Sequence, residues 1–281
     1  MRSFLKTQLH FLTFTLVHFI FSLYIRFRKA YHSVLDRVCA ILYYHHRTPE
    51  YIHKDVKQLS RLPAHLSVVL ELDDDEHSGA GLSSLVSDLA ELAAWTACAG
   101  IPLLSVYEPS GVLKNYIPQT HRSISETLAS YYGPSHPGKP TLSIRAPHLP
   151  SFSPPTTPPG TAESGAEGSS PPHLTILLLS AEDGRSTLVD LTKTLAEMAQ
   201  RQKLSPADVS AELIDAEISE SVMGEPDLLV LFGPRVILKG YPPWQMRLTE
   251  IFHVPDNEGV NYQVFIRALF RYAKAQMRFG R

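Results

Sequence analysis

The spacing of apolar residues changes period several times along this chain. Residues 9–25 read LHFLTFTLVHFIFSLYI and contain no Asp, Glu, Lys or Arg. As a helix the run is roughly 26 Å long, near the short end for a bilayer core. A membrane anchor is the main reading. His10, Thr13, Thr15 and His18 dilute the apolar character, so an interfacial or buried helix competes with it. RFRKAY follows the run where a cleaved leader needs small residues. Arg26, Arg28, Lys29 and Arg37 lie after the run, against Arg2 and Lys6 before it, which puts the C-terminal part in the cytosol. Residues 34–44 form a second apolar helix, too short to span; it lies on the membrane or opens the folded domain. It breaks before Pro49. The adjacent His45 and His46 have no partner at helical spacing and read as solvated, not as a metal site.

From residue 65 the pattern alternates between two kinds of segment. HLSVVLEL (65–72) is an apolar run of strand length, followed by the polar loop DDDEHSGAG. Residues 82–100 have helical spacing and stop at Gly100. IPLLSVYEP is a second buried-type strand ended by Pro109, which completes a βαβ unit and hence a parallel pair. Residues 119–132 predict a helix and LTILLLS (174–180) a strand. An amphipathic helix follows, with Leu188, Leu191, Leu195 and Met198 on one stripe. Ser205, Pro206 and Asp208 predict the capped start of another helix. PDLLVLFG (226–233) is a further strand, and residues 261–281 a helix running almost to the last residue. The fold class is α/β: a central, mostly parallel sheet of about five or six strands flanked by helices, plus the N-terminal membrane helix.

Composition alters this picture in one place. Residues 133–173, with PPTTPPGTAESGAEGSSPP, are too poor in apolar side chains to offset chain entropy and read as a disordered insertion. The domain plan is therefore an anchor at 1–30, a juxtamembrane segment at 31–60 and one domain at 61–281 containing that insertion. A net charge of -2 gives no global case for nucleic acid. Cys39 and Cys98 cannot make a disulfide framework and read as buried thiols of a reducing compartment. Asp73, Asp74, Asp75 and Glu76 are consecutive acids in a loop, read as solvated because a hard-cation site needs convergent ligands.

Several segments resemble cis-prenyltransferases, specifically the Nogo-B receptor type of subunit of dehydrodolichyl diphosphate synthase in a fungal-like form. They are GIPLLSVYEPSGVLK (100–114), LLSAEDGRSTLVDLTKTLAE (178–197) and EPDLLVLFGPRVILKGYPPWQMRLTEIFHVP (225–255). Arg278-Phe279-Gly280 is similar to that family's C-terminal Arg-x-Gly. The ordered set, not any single motif, carries the resemblance.

The departures matter as much. Catalytic members carry Asp-Gly-Asn-Gly-Arg after the first strand, where aspartate handles Mg²⁺ and diphosphate and glycines admit phosphate. Here Glu71, Leu72 and Asp73 stand in that place. The arginines of the later strand and its Arg-x-Ser correspond to Leu231, Ile237 and Lys239, with Arg235 out of register. A guanidinium fork for diphosphate is thus replaced by aliphatic side chains.

The resemblance implies a non-catalytic subunit at the endoplasmic reticulum membrane, its domain facing the cytosol. The partner would be a catalytic cis-prenyltransferase subunit that holds Mg²⁺ and extends farnesyl diphosphate with isopentenyl diphosphate toward the dolichol precursor. Arg278 would bind diphosphate in trans and Gly280 would permit the close turn. Trp244, Glu250, Phe252 and Phe270 are interface or structural candidates, with Arg247 the helix-face partner of Glu250. No metal site is expected in this chain. Two alternatives stand beside this reading: a self-sufficient homodimeric enzyme using Glu71, Arg185 and Lys239, and a membrane-tethered binding or receptor protein on a degenerate fold.

Overall fold

The computed structural model describes residues 2–42, 48–72, 80–133, 136, 138–153, 172–233, 235–255, 257 and 259–275. The chain divides into two compact units, residues 1–45 and 46–281.

The first unit is one helix, α1 (Arg2–Leu42), continuous where the sequence suggests two separate helices. Its stretch Gln8–Arg28 is long and apolar enough to cross a membrane, and none of that window is buried against protein. The polar positions that dilute the run are partly neutralised locally. The Thr13 hydroxyl donates to the Leu9 carbonyl at 2.9 Å and that of Thr15 to the Phe11 carbonyl at 2.8 Å. Hydroxyls bonded back to the preceding turn cost less in an apolar medium than free ones.

In the second unit, six parallel strands form one sheet in the order β3-β4-β2-β1-β5-β6. They are β1 (His65–Val69), β2 (Leu103–Tyr107), β3 (Thr141–Arg145), β4 (His173–Leu179), β5 (Leu228–Leu231) and β6 (Glu250–His253). The central strands are covered on both faces. β1 and β5 are buried at every position, which is why they read as unbroken apolar runs. One face is packed by α2 (Pro49–Lys57), α3 (Ala80–Cys98), α5 (Ile117–Tyr132) and α8 (Tyr262–Lys274). Trp95 of α3 anchors that layer, its ring 5.5 Å from Tyr262 and 5.7 Å from Phe265. The opposite face holds a smaller cluster in which Val69, Tyr107, Leu177, Leu179, Leu229 and Leu231 meet Val222, Met223 and Tyr241.

Local signals explain most boundaries. α3 gives way to Ala99 and Gly100, and Gly100 has φ 77°. That left-handed geometry suits glycine at a helix end. Asn261 caps α8 by accepting the Val264 N–H at 2.9 Å.

Several expectations need correction. The stretch 133–173 is not all irregular. Thr141–Arg145 is an edge strand, and Phe152 bridges back to Ile144. Ser143 and Ile144, on opposite faces of this strand, are both buried, and Thr141 and Arg145 are exposed. Residues 154–171 lie outside the described residues. α2, inside the stretch read as juxtamembrane, belongs to the domain, for Ile52 and Val56 are buried in its core. The Ser205 cap closes only a single turn at Pro206–Asp208, because Val209 is extended with ψ 97°. The helix α7 (Ala211–Ser221) starts from Ser210, whose hydroxyl accepts the Leu213 N–H. Finally, α8 stops at Lys274 because Ala275 is extended with ψ 130°.

Candidate functional site

All six strands are parallel, so their carboxyl ends share one edge of the sheet. From β1 the chain builds outward through β2, and after β4 it crosses back to lay β5 on the other side of β1. The crevice at such a reversal is the usual ligand site of an open α/β sheet. The groups gathered there are Glu71 after β1, Glu108 after β2, Ser180 and Asp183 after β4, and the segment 238–246 after β5.

Residues 238–241 lie against one face of the sheet near that edge. Lys239 and Gly240 have φ of 41° and 88°, a tight left-handed turn. The Tyr107 hydroxyl donates to the Lys239 carbonyl at 2.6 Å. Tyr241 is buried and shares a 2.8 Å hydrogen bond with the Ser67 hydroxyl. The two tyrosine rings meet edge to face, 5.2 Å apart. Burial raises both phenols, Tyr107 to about 12 with help from the Glu108 and Asp183 carboxylates, so both are neutral near neutral pH. The turn lies so close to the connection after β4 that a Cβ on Gly184 would stand 2.4 Å from the Gly240 carbonyl oxygen. Only glycine fits there without moving backbone.

The charged groups at this edge already have partners within the chain. Lys239 Nζ lies 3.0 Å from a Glu71 carboxylate oxygen, with both side chains about two-fifths exposed. Lys114, at the start of the β2–α5 connection in the short helix α4 (Val112–Asn115), pairs with buried Asp183. Asp183 also accepts the Ser180 N–H at 2.7 Å and so closes the β4 turn. Buried Glu108 accepts from the Ser110 N–H, the Ser110 hydroxyl and the Val112 N–H, fixing the start of α4. Glu71, Glu108 and Asp183 do not fit a magnesium site, since each is engaged by a cation or by N–H and O–H donors. Among the described residues no group of three or more His, Cys, Asp and Glu could hold a metal ion.

The structure brings together two of the three residues of the homodimer alternative, Glu71 and Lys239, but as a mutually neutralising ion pair. Arg185 opens α6 (Arg185–Gln200) with its side chain in solvent. Leu231 is buried in the smaller cluster and Ile237 is exposed. Arg278 and Gly280 lie outside the described residues, as do His45, His46 and the acidic run 73–76.

Trp244 is half-buried, and its indole N–H donates to Asp215 at 3.0 Å. Arg247 pairs with that same carboxylate and not with Glu250. Glu250 begins β6, an edge strand, and meets Arg271 of α8 at 3.4 Å. A strand at 250 puts residue 247 out of reach of the i,i+3 geometry a helix would have given. Phe252 is a core residue, Phe270 an exposed one.

Sequence reasoning missed Tyr107, Tyr241, Gly240 and the Lys114–Asp183 pair. The dipeptide Lys239-Gly240 signals a turn, but nothing local says what it packs against. A second missed feature is α6. Its apolar stripe is present, yet no residue of the helix is buried; Val189 is 44% exposed and Met198 37%. Beside it runs an open groove of about 780 Å³ lined in part by Lys114, His148, Leu191 and Glu217.

Fold and site together define an open parallel α/β protein whose charged groups at the strand ends are paired within the chain. No family model matches the chain. A *Saccharomyces cerevisiae* protein named dehydrodolichyl diphosphate synthase complex subunit NUS1 is 36% identical over 273 residues, covering 95% of this chain and 72% of the relative. The *Schizosaccharomyces pombe* protein of that name is 36% identical over 239 residues, 85% of each chain. This chain belongs to the family of NUS1-type subunits of the dehydrodolichyl diphosphate synthase complex. A *Coxiella burnetii* ditrans,polycis-undecaprenyl-diphosphate synthase matches over 98 residues at 33% identity, 34% of this chain and 41% of that protein. Among solved structures, lavandulyl diphosphate synthase from Lavandula x intermedia aligns with TM-score 0.49 and 15% identity, covering 78% of this chain and 99% of that one, a likeness too slight to carry an argument.

Proposed function

We propose that this chain is the membrane-anchored, non-catalytic subunit of a dehydrodolichyl diphosphate synthase complex. It supports cis-elongation of farnesyl diphosphate by isopentenyl diphosphate in a catalytic partner at the endoplasmic reticulum membrane, with its domain in the cytosol. The observation that carries this reading is the ion pair that Lys239 of the 238–241 turn makes with Glu71. A departing diphosphate needs cations aimed at its oxygens in the transition state. Here the lysine at the crevice is already paired with a carboxylate, and the arginines expected there are Leu231 and Ile237. Mg²⁺ and diphosphate therefore belong to the partner's pocket, to which this chain adds its tail: Arg278 as a diphosphate donor and Gly280 as the residue that allows close backbone approach. The uncovered stripe of α6 supports a heterodimer contact on that side of the sheet.

The test is incorporation of radiolabelled isopentenyl diphosphate by the purified chain, by a catalytic homologue and by both together. The chain alone is expected to make no polyprenyl product, and the pair long-chain product. Deleting residues 279–281 should lower turnover of the pair by orders of magnitude with assembly retained. Elongation by the chain alone would establish the homodimeric enzyme. Unchanged turnover of the complex after Arg278→Ala would favour the tethered binding protein.

A further inference from the structure

Two helices on opposite sides of the sheet, α8 and α7, carry opposite charge. On one, Arg267, Phe270, Arg271 and Lys274 recur at spacings 0, 3, 4 and 7 of α8, all exposed. The helix contains no acidic residue. Neighbouring α2 adds exposed Lys54 and Lys57. The acids of α2 and β6 beside this basic row are Glu50, Asp55 and Glu250; α3 in the same layer adds Asp88 and Glu91, and Asp227 acts on Tyr272 of α8. Two of the first three are engaged: Asp55 accepts from the Tyr262 hydroxyl and Glu250 meets Arg271. Beyond the opposite face, α7 carries Glu212, Asp215, Glu217 and Glu220 and no basic residue.

We propose that the α2–α8 layer is the surface this domain lays on anionic lipid headgroups. The open groove of about 630 Å³ lined by Glu250, Phe252, Arg267, Phe270, Arg271 and Lys274 would take a lipid phosphate beside the Phe270 ring. Cations around an exposed aromatic ring suit the headgroup region, where the ring enters the apolar boundary and the charges meet phosphate. Phe270 is 36% exposed. The acidic face of α7 is repelled by the same lipid, so the charge separation also sets which way the domain turns. This inference rests on the reading of Gln8–Arg28 as an anchor. A tether keeps the domain at high local concentration beside the bilayer, so weak electrostatic contacts suffice to orient it.

The full chain, with Cys39→Ser, is reconstituted into vesicles and labelled at Gln263→Cys on α8 or Ser219→Cys on α7. Cys98 is buried, and its thiol is raised to about 11 by that burial, so it escapes labelling. Nitroxide-headgroup lipids are expected to quench the α8 probe, and not the α7 probe, in vesicles containing phosphatidylserine. The difference should vanish in phosphatidylcholine alone and at high salt. Arg267→Gln with Lys274→Gln should reduce surface residence roughly 30-fold for two lost charges. Arg271 is kept because it meets Glu250 and lies over the Phe252 ring. Equal quenching of both probes, or quenching indifferent to lipid charge, overturns the proposal. So does an α8 response that requires an added catalytic homologue, which would make this face a protein interface. Extraction of the chain from vesicles by alkaline carbonate would overturn the anchor reading and this one with it.

Discussion

Two helices of this domain follow the same amphipathic rule and meet different fates. α8 has 13 residues and buries seven of them, among them Phe265, Leu269 and Tyr272. α6 has 16 residues and buries none, although Leu188, Leu191, Leu195 and Met198 line up along it. An apolar stripe says that a face is to be covered, but not by what. In α8 the cover is the chain's own sheet, so the helix contributes to folding. In α6 the chain itself leaves the stripe half-exposed, so its apolar residues contribute less to folding.

The contrast is broken most strongly at its buried end. Phe265→Ala should cost about 3–5 kcal/mol, read as a shift in the denaturant midpoint, because it empties the contact with Trp95. A smaller loss would mean that α8 is less integral than its burial implies. On the sheet itself, His65 is buried with Nε2 2.9 Å from the Ser105 hydroxyl. Burial lowers its pKa to about 4, only partly offset by Asp227. The unfolded chain takes up this proton near pH 6.5 and the folded one only near 4, so stability falls as pH drops through that window. The loss is up to about 3 kcal/mol from this group, and His65→Gln should remove that part of the slope. Gly184→Ala, one residue before α6, should cost about 1–3 kcal/mol because the new methyl collides with the Gly240 carbonyl. Faster tryptic cleavage after Lys239 is the readout. The smallest effect on stability sharpens the comparison. Leu191→Ser is expected to change stability by about 0.5 kcal/mol or less, yet weaken co-purification with the catalytic homologue. A folding defect as large as that of Phe265→Ala would erase the distinction between the two helices.

Much of the fold is legible in the residues. β1, β2, β4 and β5 are continuous apolar runs because a parallel sheet is buried on both faces, and the stop of α3 is written in Gly100. The edge strands are another matter. β3 and β6 are only partly buried, so TLSIR and EIFH lack the unbroken apolar run of the central strands. The site was half legible. Loss of the arginines at Leu231 and Ile237 is a statement about residue types at positions, and a sequence can make it. That Lys239 meets Glu71, or that Tyr107 and Tyr241 hold the 238–241 turn, depends on strands distant in sequence lying side by side.

By itself, then, the sequence determined the periodic elements, the apolar N-terminal helix and the family, because these depend on residue type and spacing along one dimension. Tertiary structure alone decided which apolar stripe is covered, which charges neutralise each other and on which side of the sheet the basic row of α8 lies. Those are properties of distance, and distance between remote residues is settled only when the sheet brings them together.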